Sequence, residues 1–145
     1  MGKTKRGKGT KLMAVADRSA LPLAVHAASA SPHEVSLVQV ALAEVLTAER
    51  PARLIGDKAY DSDALDAQLV VVGVEMIAPQ RSNRTKAVTQ DGRKLRRYKR
   101  RWKIERLFAW LHNFRRIAMR FDFRDENYLR FVHLGCITIL LRCYL

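Results

Sequence analysis

Apolar positions along the chain recur with two periods, one suited to strands and one to helices. Leu12–Ala16 and Leu23–Ala28 are short, mostly apolar runs joined by Asp-Arg-Ser-Ala-Leu-Pro, a hairpin pattern with Ser19 and Pro22 as turn residues. Ser31-Pro32-His33-Glu34 has the form of a helix start, with a hydroxyl cap, Pro at the first helical position and an early acid. Val35, Leu37, Val38, Ala41, Leu42, Val45 and Leu46 then recur at helical spacing, and Pro51 closes the segment. Residues 53–57 read as a short buried strand with a polar tip. Asp61-Ser62-Asp63 caps a helix over 64–72 that Gly73 stops, and residues 74–78 form a further strand ended by Pro79. A long helix from about Leu95 to Arg116 and another from about Asn127 to Leu145 complete the series. The order β-β-α-β-α-β followed by helices predicts an α/β sheet layered with helices. At 145 residues the chain suits a single domain, 1–145, with residues 1–11 as a flexible approach and loop 80–95 as its linker-like stretch.

Charge changes this picture. The net charge is +13 and the pI near 10.4. Residues 31–80 carry three bases and eight acids, whereas 81–120 carry fifteen bases and two acids, so the second segment alone equals the excess of the whole chain. An acidic middle beside a basic arm suits a cation-binding centre next to a phosphate-binding surface, and nucleic acid is the expected polyanion. A solvated basic face is the plainer alternative. Cys136 and Cys143 belong to no C-x-x-C pair and read as buried free thiols of a reducing compartment. The N-terminus shows no apolar signal region, and Val132–Leu141 is too short to span a bilayer, so a cytoplasmic protein without a membrane partner is expected.

Two carboxylates stand out as candidate chemistry. Functional groups of open α/β sheets gather beyond the carboxyl ends of strands, where Asp57 falls directly after Leu54-Ile55-Gly56. Gly56 would let the backbone turn tightly and keep the carboxylate accessible. Capping of the following turn explains Asp57 equally well. Asp61 and Asp63 fit best as caps and first-turn acids. The second candidate is Glu105, within RRYKRRWKIERLFAWLHNFRR. On a helical wheel Ile104, Leu107, Phe108 and Leu111 form a buried stripe, and Tyr98, Arg101, Glu105 and His112 share an arc of about 60° beside it. Convergent carboxylates hold the divalent cations of metal-dependent phosphoryl transfer.

Tyr98-x2-Arg101-x3-Glu105 resembles the Y-x2-R-x3-E signature of bacterial insertion-sequence transposases of the DDE type, and GDKAYDSD around Asp57 resembles the family's second-aspartate motif. NFRRIAMRFD and FVHLGCITILLR are similar to its C-terminal region. The resemblance implies a ribonuclease H-like mixed sheet with flanking helices. It implies Asp57 and Glu105 as catalytic metal ligands for Mg2+ or Mn2+, with Tyr98, Arg101 and His112 supporting them. It also implies cleavage of transposon ends and strand transfer to target DNA, in association with the bacterial nucleoid. Arg81, Arg84, Lys86, Arg96, Arg97, Arg100, Lys103, Arg115 and Arg116 are the expected DNA contacts. The family pattern has Lys where His112 stands, and its first catalytic Asp lies on a strand ahead of the hairpin. That strand is expected to be missing here, leaving the chain inactive alone. An upstream-encoded N-terminal half and a second copy of the chain are the further candidate partners. Asp17 fits a turn better than a replacement ligand. A P-loop over Gly2–Lys8 fails, because Gly9 takes the Ser/Thr position and no strand precedes it. A non-enzymatic basic DNA- or RNA-binding protein is the remaining alternative; it explains the charge but not Asp57 or the Tyr98–Arg101–Glu105 face.

Overall fold

The structure is a computed structural model that describes residues 2–4, 7–85, 87 and 95–145. The chain divides into two compact units, one of residues 1–47 with 103–145 and the other of residues 48–102.

The first unit is built on an antiparallel sheet in the order β1-β2-β3, with β1 at Gly2–Thr4, β2 at Gly7–Ala16 and β3 at Pro22–Ser29. The expected hairpin is present but longer, pairing Thr10 with Ser29 at one end and Ala16 with Pro22 at the other. The Gly- and Lys-rich start is not simply a flexible approach, because Gly2, Lys3 and Thr4 pair with Gly9, Lys8 and Gly7. Backbone pairing needs no apolar side chain, which is why composition concealed it. The hairpin turn is held by Asp17, whose Oδ1 accepts the N–H groups of Ser19 at 2.7 Å and Leu21 at 2.8 Å. Ala20 takes a left-handed φ of 69° there and is fully buried. Asp17 therefore serves the turn, while Pro22 opens β3 instead of lying within the turn.

Helix α1 spans Glu34–Ala43. It starts two residues later than the Ser31-Pro32 pattern suggests, with His33 at the cap position. Val45 and Leu46, expected in this helix, lie beyond its end. The chain leaves the helix so that the Leu46 N–H can donate to the Leu23 carbonyl on β3, and the Leu46 side chain is 88% exposed.

The predicted helix over 95–116 is broken into three pieces. A 3-10 helix covers Arg96–Arg101, α3 covers Trp102–His112 and α4 covers Arg115–Ala118. Phe114 is extended between the last two. That break turns Phe114 and Ile117 toward Gly135 of the C-terminal helix α5, Asp125–Tyr144. A Cβ on Gly135 would stand 2.7 Å from the Ile117 Cδ1 and 3.2 Å from the Leu111 Cδ2. The approach thus needs a residue without a side chain. Leu107, Leu111 and Val132 are wholly buried, in one cluster with Leu21, Val25, Ile117, Tyr128, Cys136 and Ile139. The stripe read from the sequence is the core face of α3, with Ile104 and Phe108 half-buried at its border. Cys136 is buried, but Cys143 is exposed in the last turn of α5 despite its helical register with Cys136. No described helix is long and apolar enough to cross a membrane.

The second unit contains a two-stranded parallel sheet, with β4 at Arg53–Ile55 paired to β5 at Glu75–Ile77. The intervening helix α2 spans Asp63–Val71 and buries Leu65 and Leu69. Its end has Gly73 at φ 75°, with the Gly73 N–H donating to the Val70 carbonyl and the Val74 N–H to the Leu69 carbonyl. This left-handed cap satisfies carbonyls the helix leaves open, and glycine adopts it without strain. Much of loop 80–95, including Lys86, lies outside the described residues.

Candidate functional site

Asp57 stands just past the end of β4, separated from it by Gly56. The Gly56 N–H donates to the Ile77 carbonyl at 3.0 Å, which carries the parallel pairing one residue beyond the strand. A Cβ on Gly56 would lie 2.4 Å from Met76 Cε and 2.6 Å from Tyr60 Cδ2. Met76 and Tyr60 therefore pack where a side chain on Gly56 would stand, and no left-handed φ calls for glycine there. Asp57 itself is exposed. Its Oδ1 accepts the Ala59 N–H at 2.8 Å and caps a short 3-10 helix over Lys58–Tyr60. The two readings of Asp57, cap and exposed carboxylate beyond a strand, are both realised in one residue.

Asp61 and Asp63 divide the work expected of caps. Ser62 caps α2 by accepting the Leu65 N–H, and Asp63 is an acid of its first turn. Asp61 instead faces the segment after β5, where its Oδ2 accepts the Arg81 N–H at 2.8 Å and its Oδ1 pairs with Arg84. Arg84 also pairs with Asp63. Burial, with Asp63 and Asp61 close by, pushes the Asp66 carboxyl pKa upward, and Arg84 only partly opposes this.

Tyr98 and Arg101 lie in the 3-10 helix, which packs against β4. In such a helix residues three apart are eclipsed. The Arg101 guanidinium accordingly sits 5.2 Å from the Tyr98 ring centroid and donates to Tyr98 Oη at 2.6 Å. Tyr98 and Arg101 thus form a locked pair in the same unit as Asp57. Glu105 and His112, assigned to the other unit, are exposed on α3. Glu105 lies in the first turn, where the helix dipole favours an acid, and His112 ends the helix two turns later on the same face.

The basic residues fall into distinct environments. Arg96, Arg100, Arg115 and Arg116 are exposed, and Arg97 is half-buried. Arg116 pairs with Asp122 at 3.6 Å and covers the Phe131 ring. Lys103 donates to the Arg18 carbonyl and Arg106 to that of Ser19, tying α3 to the hairpin turn. Arg81 and Arg84, expected on a DNA-facing loop, point to internal carbonyls and carboxylates. Arg120 was missed in the sequence; it joins Thr10, Asp125 and the carbonyls of Asp122 and Phe123. Nothing in its sequence neighbourhood distinguishes it from the other arginines of the basic arm.

Comparison with known proteins decides the family. A family model described as a transposase DDE domain matches residues 1–141. The chain belongs to the DDE transposases of bacterial insertion sequences. It is 36% identical over 91 residues to a protein named as the transposase of insertion sequence element IS402, from Burkholderia cepacia. That alignment covers 63% of this chain and 39% of the relative. It is also 33% identical over 135 residues to the protein named as the transposase of element IS6501, from Brucella ovis. There the coverage is 92% of this chain and 98% of the relative. No solved structure matches the chain.

Proposed function

We propose that the chain takes part in DNA transposition as a metal-dependent phosphoryl-transfer protein, with Asp57 and Glu105 as carboxylate ligands of divalent cations. The observation that carries this reading is Asp57. It is an exposed carboxylate directly beyond a parallel strand, the strand against which the 3-10 helix of the Tyr98–Arg101 pair packs, in a chain of this family. The proposal includes a ribonuclease H-like arrangement of the strands.

The donor chemistry fits Mg2+ or Mn2+, which prefer carboxylate oxygens. Among the described residues no group of three or more His, Cys, Asp or Glu could hold a metal. Mg2+ usually binds through one or two carboxylates together with substrate phosphates. When bound, the ion would activate the attacking oxygen and steady the leaving oxygen at a DNA phosphate. The protein's own part is to aim the carboxylates and hold the DNA backbone. Asp57 is aimed by its hydrogen bond to the Ala59 N–H, and exposed Arg96, Arg100, Arg115 and Arg116 supply charge for phosphates. His112 would stand near the backbone as a donor.

DNA affinity measured with and without Mg2+ tests the proposal. Mg2+ should strengthen binding at constant ionic strength, and Asp57→Asn or Glu105→Gln should each cancel that gain while leaving metal-free binding intact. DNA binding indifferent to Mg2+ in the unaltered chain would favour a non-enzymatic basic DNA-binding protein instead.

A further inference from the structure

Two arginines after β5 hold the turn that carries Asp57. Strands β4 and β5 are parallel, so the segments leaving them emerge at the same edge of their sheet. Arg81 and Arg84 thereby reach residues more than twenty positions earlier. Arg81 Nε donates to the Lys58 carbonyl at 3.1 Å and Arg81 Nη2 donates to the Ala59 carbonyl. Lys58 and Ala59 are the first residues of the 3-10 helix that Asp57 caps. One side of that helix is therefore fastened by Arg81 and its start by Asp57. Arg84 extends the clamp, with its two terminal nitrogens on Asp61 Oδ1 and Asp63 Oδ1. The side chains of Arg84 and Asp61 are only 10% and 5% exposed.

We propose that Arg81 and Arg84 are positioning residues that clamp the Asp57 turn to the segment after β5 and fix the direction of its carboxylate. This rests on the reading of Asp57 as a metal ligand. A guanidinium is needed at Arg84, because its planar fork meets two separate carboxylates at once, whereas an ammonium is a point charge. The same geometry removes both arginines from the DNA-contacting set.

The test follows backbone amides of the full chain by NMR, in hydrogen exchange and in a Mn2+ titration. In Arg84→Ala the Ala59 and Arg81 amides should exchange about tenfold faster or more, as charge-assisted hydrogen bonds are removed. The amides of Leu111 and Val132 in the other unit should keep their protection. The Mn2+ concentration that broadens signals around Asp57 should rise several-fold. Arg84→Lys should exchange nearly as fast as Arg84→Ala. Arg81→Ala should loosen Ala59 with little effect at Asp63, and it serves as the second variant if Arg84→Ala unfolds. Unchanged exchange at Ala59 overturns the clamp, most plainly if DNA affinity and its salt dependence fall instead, since the arginine is then a phosphate ligand. Faster exchange with an unaltered Mn2+ response reduces the clamp to a purely structural tie and overturns the positioning role. If Mn2+ broadens nothing near Asp57 even in the unaltered chain, the metal-ligand reading fails, while amide exchange still decides the clamp.

Discussion

The two compact units are held together by different means. In the first, Leu107, Leu111 and Val132 vanish into an apolar cluster, and the arginines of 115–116 remain outside it. In the second, a smaller apolar core of Leu65, Leu69, Val74 and Ile77 is joined by a near-buried ion pair between Arg84 and Asp61. Arginines that belong to one basic stretch of sequence therefore do unlike work. Arg96, Arg100 and Arg115 meet solvent, whereas Arg81 and Arg84 meet the acidic segment of residues 57–63. The acidic middle of the chain is thus partly neutralised from within, and net charge by segment overstates what is presented to solvent.

The comparison can be broken most forcefully in the apolar unit. Leu111→Ala should destabilise the chain by roughly 2–5 kcal/mol in urea unfolding, because the site is fully buried and its neighbours can collapse only in part. Gly135→Val should cost about 1–3 kcal/mol by overpacking against Ile117 and Leu111. A destabilisation below about 0.5 kcal/mol, the range of a surface substitution, would mean that α5 is not seated as described.

Alkaline pH sharpens the contrast. Burial pushes the Cys136 thiol from its ordinary value near 9 up to about 11. The folded state holds that proton more tightly than the unfolded chain does. The associated stability is present below pH 9 and is lost as pH rises through 11, by roughly 2 kcal/mol. Unfolding midpoints between those pH values should fall in the unaltered chain and fall less in Cys136→Ala. At neutral pH an aromatic disulfide reagent should label exposed Cys143 quickly and Cys136 only on unfolding.

The smallest effects separate the arginines. Arg100→Ala or Arg115→Ala should lower the slope of log DNA affinity against log salt by about 0.9 for each DNA phosphate that the side chain had neutralised. Arg84→Ala should leave the slope unchanged. The same fall in slope at all three positions would erase the distinction between exposed and inward-facing arginines.

Much of the architecture was legible in the sequence, and the exceptions share a cause. Hydrophobic period placed the hairpin, the α2–Gly73 stop and the C-terminal helix, because each buries its own apolar stripe. The β1 pairing was not legible, since it rests on backbone hydrogen bonds among Gly and Lys. The break at Phe114 was hidden because helical periodicity persists through it, while the fit of Phe114 and Ile117 against Gly135 comes from a helix distant in sequence. At the candidate site Asp57 and the Tyr98–Arg101 spacing were readable. The partners of Arg81 and Arg84 were not, because parallel strand pairing brings together residues that charge counting treats as opposed blocks.

The most direct test of the central claim loads the full chain with Fe2+ in place of Mg2+ and adds ascorbate and peroxide. Hydroxyl radicals then cut the backbone next to the bound ion. The account predicts cuts within a few residues of Asp57 and of Glu105, suppressed by excess Mg2+. Those near Asp57 should disappear in Asp57→Asn, and those near Glu105 in Glu105→Gln. Cuts confined to other carboxylates, or cuts at these two positions that survive both substitutions, would contradict it.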